Sequence, residues 1–546
     1  NRNDYGLVGL LNEPIILGSS QYWRLTPNAV VVSSSIAATS AHAGIKSLVF
    51  FQTIKNAASA ARQVSERLLP VSISLSKDEA IWLEIATKEL GDASHLYIEV
   101  ENGKVTKSAT VHHGLLLPEE RYLCESLYKR PDGIKVLTAT STLAQGMNLP
   151  SELVIIGEDS RFDQDTDKRE ILKAQELLNA AGRAGRAGEN ASGIVLVVPG
   201  KVVGIDIAAS KIGPHWADLR KIFGQSDQCL DIDDPLVDVF DRIHESMNDV
   251  SEIDQYTILR LASCGVEGSQ SEALSQSINS SFGAFLARKR ADDEWVHERI
   301  RATSAFLNTQ PAVTENELIL SQISASLGLS LVLVSRLWSD LKKAGPPVGA
   351  TIPKWRKWFF RWLTENPDLL ELICRKQSLI ELFGKSYDSL ETEREKAAYA
   401  IPRLRKLTWR WMRGDVLSEL EMELGVASDK LKTCNGARRF VIRVIPELSY
   451  LFSLPALLFQ REQLGLGVTT SISSSIAQLG RCVRLGLNSY KKAALNQIRA
   501  RDRLSRCQLH ESYELIESHI PTGSASETWE ETLTRIKIAI KKERDD

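Results

Sequence analysis

Residues 179–188 read NAAGRAGRAG, with Arg183 and Arg186 three apart among glycines and alanines. Small residues let a backbone approach another surface closely. A planar guanidinium can then reach across and grip a phosphate with two parallel N–H bonds. A glycine-rich turn with solvated arginines is the plainer alternative. Upstream, residues 136–150 read VLTATSTLAQGMNLP, a strand running into Thr140, Ser141 and a Gly146-Met147-Asn148 turn. Short hydroxyls at a strand end bind backbone phosphates without reading bases, although an ordinary strand-to-helix loop has the same composition. Basic and aromatic residues interleave at 354–362 (KWRKWFFRW) and 403–413 (RLRKLTWRWMR). Trp355 and Trp358 are therefore candidates to stack on bases of a single strand. The alternative is a core helix face with Arg and Lys snorkelling to water.

These residues need elements to hold them. Apolar runs at 47–51 (SLVFF), 135–138, 153–156 and 193–198 (GIVLVV) have the character of buried parallel strands. A helix over 55–69 would turn Ala58, Ala61, Val64 and Leu68 to one side. Ser76 and Glu79 form a capping box before a helix with Ile81, Leu83 and Ile85, and residues 171–181 form a helix ending in glycines. Strand alternating with helix over 40–205 predicts an α/β domain on a mostly parallel sheet. After about residue 205 the pattern is helical, with Gly/Ser/Pro-rich breaks at 265–280, 345–353, 465–475 and 521–526. Residues 13–17 and 29–34 look strand-like.

At 546 residues the chain has room for three or four domains of about 150. Hydrophobic residues at 43% and charged residues at 25% are the balance of a globular protein. A net charge of -2 means that any nucleic-acid surface is local. Seven cysteines occur without a C-x-x-C pair or a histidine cluster, which argues against zinc and against a disulfide framework and favours a reduced, cytoplasmic protein. No uninterrupted apolar run reaches the ~18 residues of a membrane span.

In this order the segments resemble the second RecA-like motor domain of superfamily 2 helicases, closest to the superkiller branch. Residues 47–53 (SLVFFQT) are similar to motif IV, 112–120 (HHGLLLPEE) to motif IVa, 139–150 to motif V and 179–186 to motif VI. The resemblance implies an arginine finger at Arg186 with Arg183 beside it. It implies nucleotide contacts at Gly146, Asn148, Asn179 and Gly182, and strand-backbone contacts at Thr140, Ser141 and Thr53. The family usually has Gln where Asn179 stands, a side chain one methylene longer. Residues 407–417, 437–450 and 479–495 resemble the C-terminal helical region of bacterial superkiller-related helicases, including antiphage-defence helicases of the Hachiman type.

The other half of an ATPase site is not in evidence. No G-x-x-x-x-G-K-[ST] run occurs. Residues 383–386 (FGKS) have Leu379 where the first glycine would stand, and residues 78–81 (DEAI) read as a helix start. A P-loop and magnesium-binding acid are thus expected upstream of Asn1. Four segments follow: 1–39, linker and strands of a missing first motor domain; 40–205, the RecA-like domain; 206–350, helical, with a winged helix or helix-turn-helix at 316–344; and 351–546, a ratchet-like helical bundle. The expected cofactor is ATP with Mg2+. The expected partners are single-stranded or partly duplex nucleic acid, and a protein such as a nuclease subunit. No metal site and no membrane contact are expected. Two other readings stand beside this one: a non-hydrolysing clamp or scaffold, and a sequence-specific DNA binder using residues 316–344.

Overall fold

The structure is a computed structural model. It describes residues 29–140, 149, 151–158, 160–163, 168–171, 179–182, 184, 193–198, 205–206, 211–212, 234–245, 252–262, 270–309, 320, 323–324, 327–347, 349–425, 433–465, 472–524 and 527–545. The chain divides into two compact units. One comprises Asn1–Gln228, Gly414–Ile442 and Arg499–Ser512, and the other Cys229–Arg413, Arg443–Ile498 and Tyr513–Asp546.

Among the described residues the first unit begins with α1 (Ala29–His42), β1 (Ser47–Phe51) and α2 (Ile54–Arg67). The short β2 (Ile73–Ser74), α3 (Lys77–Leu90), β3 (Val100–Glu101), β4 (Lys104–Val105) and β5 (Ala109–His112) follow. Next come α4 (Pro118–Lys129), β6 (Val136–Thr140) and β7 (Leu153–Gly157). The hairpin strands β8 (Ser160–Asp163) and β9 (Lys168–Ile171) precede β10 (Ile194–Val198). Five strands form one parallel sheet in the order β10-β7-β1-β6-β5. Leu48, Val49, Leu137, Val154 and Ile155 are fully buried, because a parallel sheet is covered on both faces. On one face, Ala57, Ala60, Ala61 and Val64 of α2 pack with Ile36, Ala37 and Ala38 of α1 over Val49, Val136 and Ile155. This is the expected RecA-like architecture, a parallel sheet with flanking helices.

Two expectations are corrected. Residues 29–34 belong to helix α1, not to a strand. Three valines in a row suggested a strand, but small residues at Ser33, Ser34, Ala37 and Ala38 give α1 a close-packing stripe, and that tertiary contact decides. The buried face of α2 centres on Ala57 rather than Ala58. Residues 13–17 lie outside the described residues. The start of α3 agrees with the sequence: Ser76 accepts from the Glu79 amide and Glu79 accepts from the Ser76 amide at 2.8 Å, closing the capping box over the DEAI segment.

In the second unit every regular element among the described residues is a helix. Pro235–Glu245 through Asp293–Thr309 surround Phe240, Ile243, Ile258, Leu274, Ile278 and Phe306. Of the 316–344 segment, the turn at Gly328 (φ +70°) and the Leu331–Ala344 helix are described, the latter burying Leu333, Val334, Leu337 and Leu341. Two further long helices are Ile352–Glu365 and Glu393–Arg413. Asn435–Gln460 is long and apolar enough to cross a membrane by length and composition. Its Leu448, Leu451, Phe452 and Leu458 are buried in the protein, which accounts for that composition without a bilayer. Gly384 of the FGKS segment caps the Lys376–Phe383 helix at φ +66°, with no loop to cradle a phosphate.

Candidate nucleotide and nucleic-acid site

The central strands β1 and β6 lie side by side with Phe51 opposite Thr140, so both end at one edge of the sheet. Carboxyl ends of parallel strands are where such sheets receive ligands. Thr53 follows β1 and caps α2, its hydroxyl oxygen accepting from the Asn56 amide at 3.1 Å. The Thr53 side chain is exposed, so its own O–H can donate outward at the positive end of a 14-residue helix. Thr140 is buried at the end of β6. Thr138, two residues earlier, donates to the Ala57 carbonyl at 2.8 Å and fastens β6 to α2. Asn56 also donates to the Glu158 carboxylate at 3.3 Å, just past β7. The first turn of α2 therefore ties three strand ends together. Ser141 lies outside the described residues.

At the other edge the chain enters β7 through Leu149 and Ser151, both buried. The Ser151 hydroxyl is bonded to the Tyr128 hydroxyl at 2.9 Å. Ser151 also forms an isolated parallel bridge with Ala184. The Ala184 amide donates to the Ala181 carbonyl at 3.0 Å, closing a turn on the short helical end at 179–181. Asn179 and Gly182 are exposed there, and Ala180 is buried. Ser151, the residue that follows the 139–150 segment, thus meets the 179–186 segment at Ala184. Gly146, Asn148, Arg183 and Arg186 lie outside the described residues. A five-residue strand is about 17 Å long, so the strand-backbone candidates Thr53 and Thr140 and the Ser151–Ala184 bridge occupy opposite edges of the sheet.

A third cluster was missed from the sequence. The loop leading into α4 is stapled by Arg438, which is 0% exposed. Its guanidinium donates to Glu120 through both Nη1 and Nη2, the latter at 2.9 Å. It also donates to the carbonyls of Thr433 (2.7 Å), Leu115 (3.2 Å) and His95 (3.2 Å). All five N–H groups are used, the condition under which a buried arginine is tolerated. His113 packs edge-on against Tyr97 at 4.5 Å and accepts the Leu115 amide through Nδ1 at 3.1 Å, while its buried Nε2 has no partner. Burial, then the charges of Arg438, His112 and Arg121, hold the His113 pKa at about 3, so the ring is neutral. Arg506 is a second staple, bonding Glu89 through its amide (2.5 Å), Nε (3.3 Å) and Nη2 (3.1 Å). Residues 499–506 (RARDRLSR) have the composition of a solvated helix face. Arg506 is buried instead, and Arg503 pairs with Asp78 at 2.8 Å. The signal available was the recurrence of arginine at 438 and 506 opposite the acids of 77–130, and one sequence does not reveal such pairing.

The stacking assignment is corrected as well. Trp355 and Trp358 are 0% and 7% exposed and pack with Phe359 and Trp362, so neither offers a ring face to a base. Trp358 donates to the Ala344 carbonyl at 2.8 Å and Trp362 to Asp340 at 2.9 Å. Spacing i, i+3, i+4, i+7 makes these the core face, with Lys354, Lys357 and Arg361 outward. The thiols of Cys124 and Cys482 are pushed up to about 12 by burial, which leaves them unreactive.

No protein-family model matches the chain. It is 41% identical over 92 residues to the antiviral helicase SKI2 of Saccharomyces cerevisiae, covering 17% of this chain and 7% of that protein. It is 35% identical over 106 residues to the ATP-dependent DNA helicase Hel308 of Thermoplasma acidophilum, covering 19% of this chain and 15% of that protein. The chain therefore spans a small part of the length of the curated relatives it matches. A solved structure of the DUF1998 helicase MrfA bound to DNA and AMPPNP is similar over 42% of this chain and 24% of that one, at 16% identity and a TM-score of 0.25. That structural likeness is too slight to build on. The sequence matches support a relationship to superfamily 2 helicases.

Proposed function

We propose that this chain supplies the second motor domain of an ATP-dependent helicase or translocase acting on single-stranded or partly duplex DNA or RNA. The observation that supports the reading is the Ser151–Ala184 bridge, which brings the residue just after the 139–150 segment against the 179–186 segment at one edge of a RecA-like parallel sheet. In this proposal Arg186 is the arginine finger and Arg183 its companion, stabilising charge on the transferred phosphoryl group. Gly146, Asn148, Asn179 and Gly182 line the nucleotide. Thr53, Thr140 and Ser141 hold strand phosphates. The P-loop and the magnesium ligands come from a first motor domain. The helical unit guides the strand. Surveillance of foreign nucleic acid, with a nuclease-type protein partner, is the proposed setting. It rests on the resemblance of the helical segments and on one relative being an antiviral helicase.

Turnover tests the reading. In the protein with both motor domains, Arg186→Ala lowers ATP hydrolysis by ~10³-fold or more, the range of arginine fingers, with folding preserved. Near-normal turnover by a folded Arg186→Ala variant sinks the assignment.

A further inference from the structure

In the second unit the Ile445–Gly465 and Leu479–Leu485 helices approach closely at Gly480, where a Cβ would meet the Ser449 carbonyl oxygen at 2.7 Å and the Ser453 Cβ at 2.8 Å. Beside that contact lies a cleft of about 490 Å³. Ser449, Tyr450 and Ser453 line it from one helix, Arg481 and Arg484 from the other, and Asn496 from the Tyr490–Ile498 helix. Two of its lining residues are arginines and none is an acid. In a chain of net charge -2 the cleft is thus locally cationic.

The hydroxyl hydrogens of the cleft are already committed. Ser449 donates to the Pro446 carbonyl at 2.8 Å, Ser453 to the Tyr450 carbonyl at 2.6 Å and Tyr450 to the Leu327 carbonyl. What the two serines still offer is lone pairs, and neither hydroxyl oxygen accepts a hydrogen bond among the described residues. Four residues along a helix is about 6 Å, close to the ~6.6 Å between alternate residues of an extended chain. Alternate peptide N–H groups can therefore address both serines. Phosphodiester oxygens are acceptors and have nothing to donate there. The Asn496 carboxamide has no bond among the described residues, and its donor and acceptor match those of a peptide unit. Arg481 is already held in place: it donates through Nη1 to Gln497 at 3.0 Å, and its guanidinium carbon lies 5.7 Å from the Trp529 ring centroid. Neither Arg481 nor the exposed Arg484 is in an ion pair among the described residues. A guanidinium fork held in this way loses little freedom on gripping a carboxylate.

We propose that this cleft docks an acidic, extended segment of a protein partner, its carboxylates on Arg481 and Arg484 and its alternate N–H groups on Ser449 and Ser453. Arginine clusters recognise acidic motifs in this manner, with backbone hydrogen bonds fixing an extended chain. The inference goes beyond the motor assignment and does not depend on it.

Fluorescence anisotropy of the full chain tests it, with a labelled peptide of alternating glutamate and alanine and a labelled oligo-dT strand as probes. The wild-type chain binds the peptide saturably below about 1 mM. Arg481→Ala weakens the peptide by about 10-fold and Arg484→Ala by about 5-fold, while oligo-dT affinity and the melting temperature stay unchanged. Ser449→Ala combined with Ser453→Ala weakens the peptide by about 5-fold and leaves every charge in place. Because Arg484 is exposed, its variant carries the test even if Arg481→Ala fails to fold. Peptide affinity equal to wild type in Arg484→Ala, or in the double serine variant, overturns the site. So does the absence of saturable peptide binding by the wild type. If oligo-dT affinity falls in step with peptide affinity, the cleft is a general polyanion surface and the inference is overturned. The motor assignment is decided separately, by ATP turnover, and stands or falls apart from these results.

Discussion

Arg438 and His113 share one small interior and respond to different perturbations. Removing the arginine leaves the Glu120 carboxylate buried with its Leu117 amide bond and no cation. Breaking a buried pair in this way costs about 3–5 kcal/mol, so Arg438→Met is expected to lower stability by that order in urea unfolding. Much of the loss is an uncompensated charge, so adding Glu120→Gln recovers part of it; a double variant no better than the single would contradict the charge argument. His113 gives a pH signature. Its folded pKa of about 3 lies below the ordinary 6.5. Between these values the unfolded chain takes up a proton that the folded chain refuses. Stability therefore falls as pH drops below about 6.5, by at most about 1.4 kcal/mol per pH unit from this group. Glu79 acts in the same direction lower down. Its burial would raise the carboxyl, but the Ser76 amide, Ser126 hydroxyl and Arg130 guanidinium outweigh that and hold it below 4.5. Its contribution is present above pH 4.5 and is lost as pH falls through the folded value. Urea midpoints at pH 7, 6, 5 and 4 should converge between wild type and His113→Gln as pH falls. Parallel curves would show that the imidazole does not titrate as described.

At the scale of the element, Thr53 does two jobs that substitution can separate. As the cap of α2 its oxygen accepts the Asn56 amide, and as a proposed strand contact its hydroxyl donates to phosphate. Thr53→Asp keeps an acceptor at a position where Asp caps as well as Thr and its charge favours the helix N-terminus. It also places a negative charge against the phosphate. The expectation is an unchanged or slightly raised melting temperature with weaker strand binding, whereas Thr53→Ala loses about 1 kcal/mol of stability. Unaltered strand affinity in a folded Thr53→Asp variant would remove Thr53 from the interface. The parallel strands were legible because β1, β6 and β7 are buried on both faces and, like the less buried edge strand β10, read as continuous apolar runs. Helix α1 was not, because its valines have strand character and a packing partner made it helical. The tryptophans divide in the same way: Trp355, Trp358 and Trp362 recur at core spacing, while Trp409 lies off the face defined by Leu404, Leu407 and Trp411. Spacing identified the buried rings once the helix was known, but only the fold shows that Arg484 shares a cleft with Ser449 and Ser453.

At the scale of the whole molecule, the α/β unit is not continuous in sequence. Gly414–Ile442 and Arg499–Ser512 belong to it although they lie hundreds of residues downstream. Glu120 and Arg438 are 318 residues apart, and Glu89 and Arg506 are 417 apart. Local patterning carries no record of such pairing, and for that reason a division into consecutive domains was all the sequence offered. The returning segments make close contacts. A Cβ on Gly91 would meet the Ser418 hydroxyl at 2.7 Å, and one on Gly414 would meet the His510 ring at 2.9 Å. Gly91 and Gly414 also have φ of +98° and +99°, so each is a glycine for both space and backbone. A chain ending at Arg413 keeps every strand of the sheet but loses Arg438, Arg503 and Arg506. Glu89 and Glu120 would then face either burial without a cation or exposure of the α3 and α4 surfaces that the two segments cover. Each lost buried pair is an effect of about 3–5 kcal/mol, against a total domain stability of about 5–15 kcal/mol. The 1–413 fragment is therefore expected to be unfolded or aggregation-prone when expressed alone. Glu89→Gln with Glu120→Gln, introduced together, should restore part of its solubility, because they remove the unpaired charges without restoring the contacts. Circular dichroism and thermal melting of both fragments beside the full chain decide the matter. A 1–413 fragment whose α/β unit melts as high as that of the full chain would show that the returning segments decorate the motor unit and do not complete it.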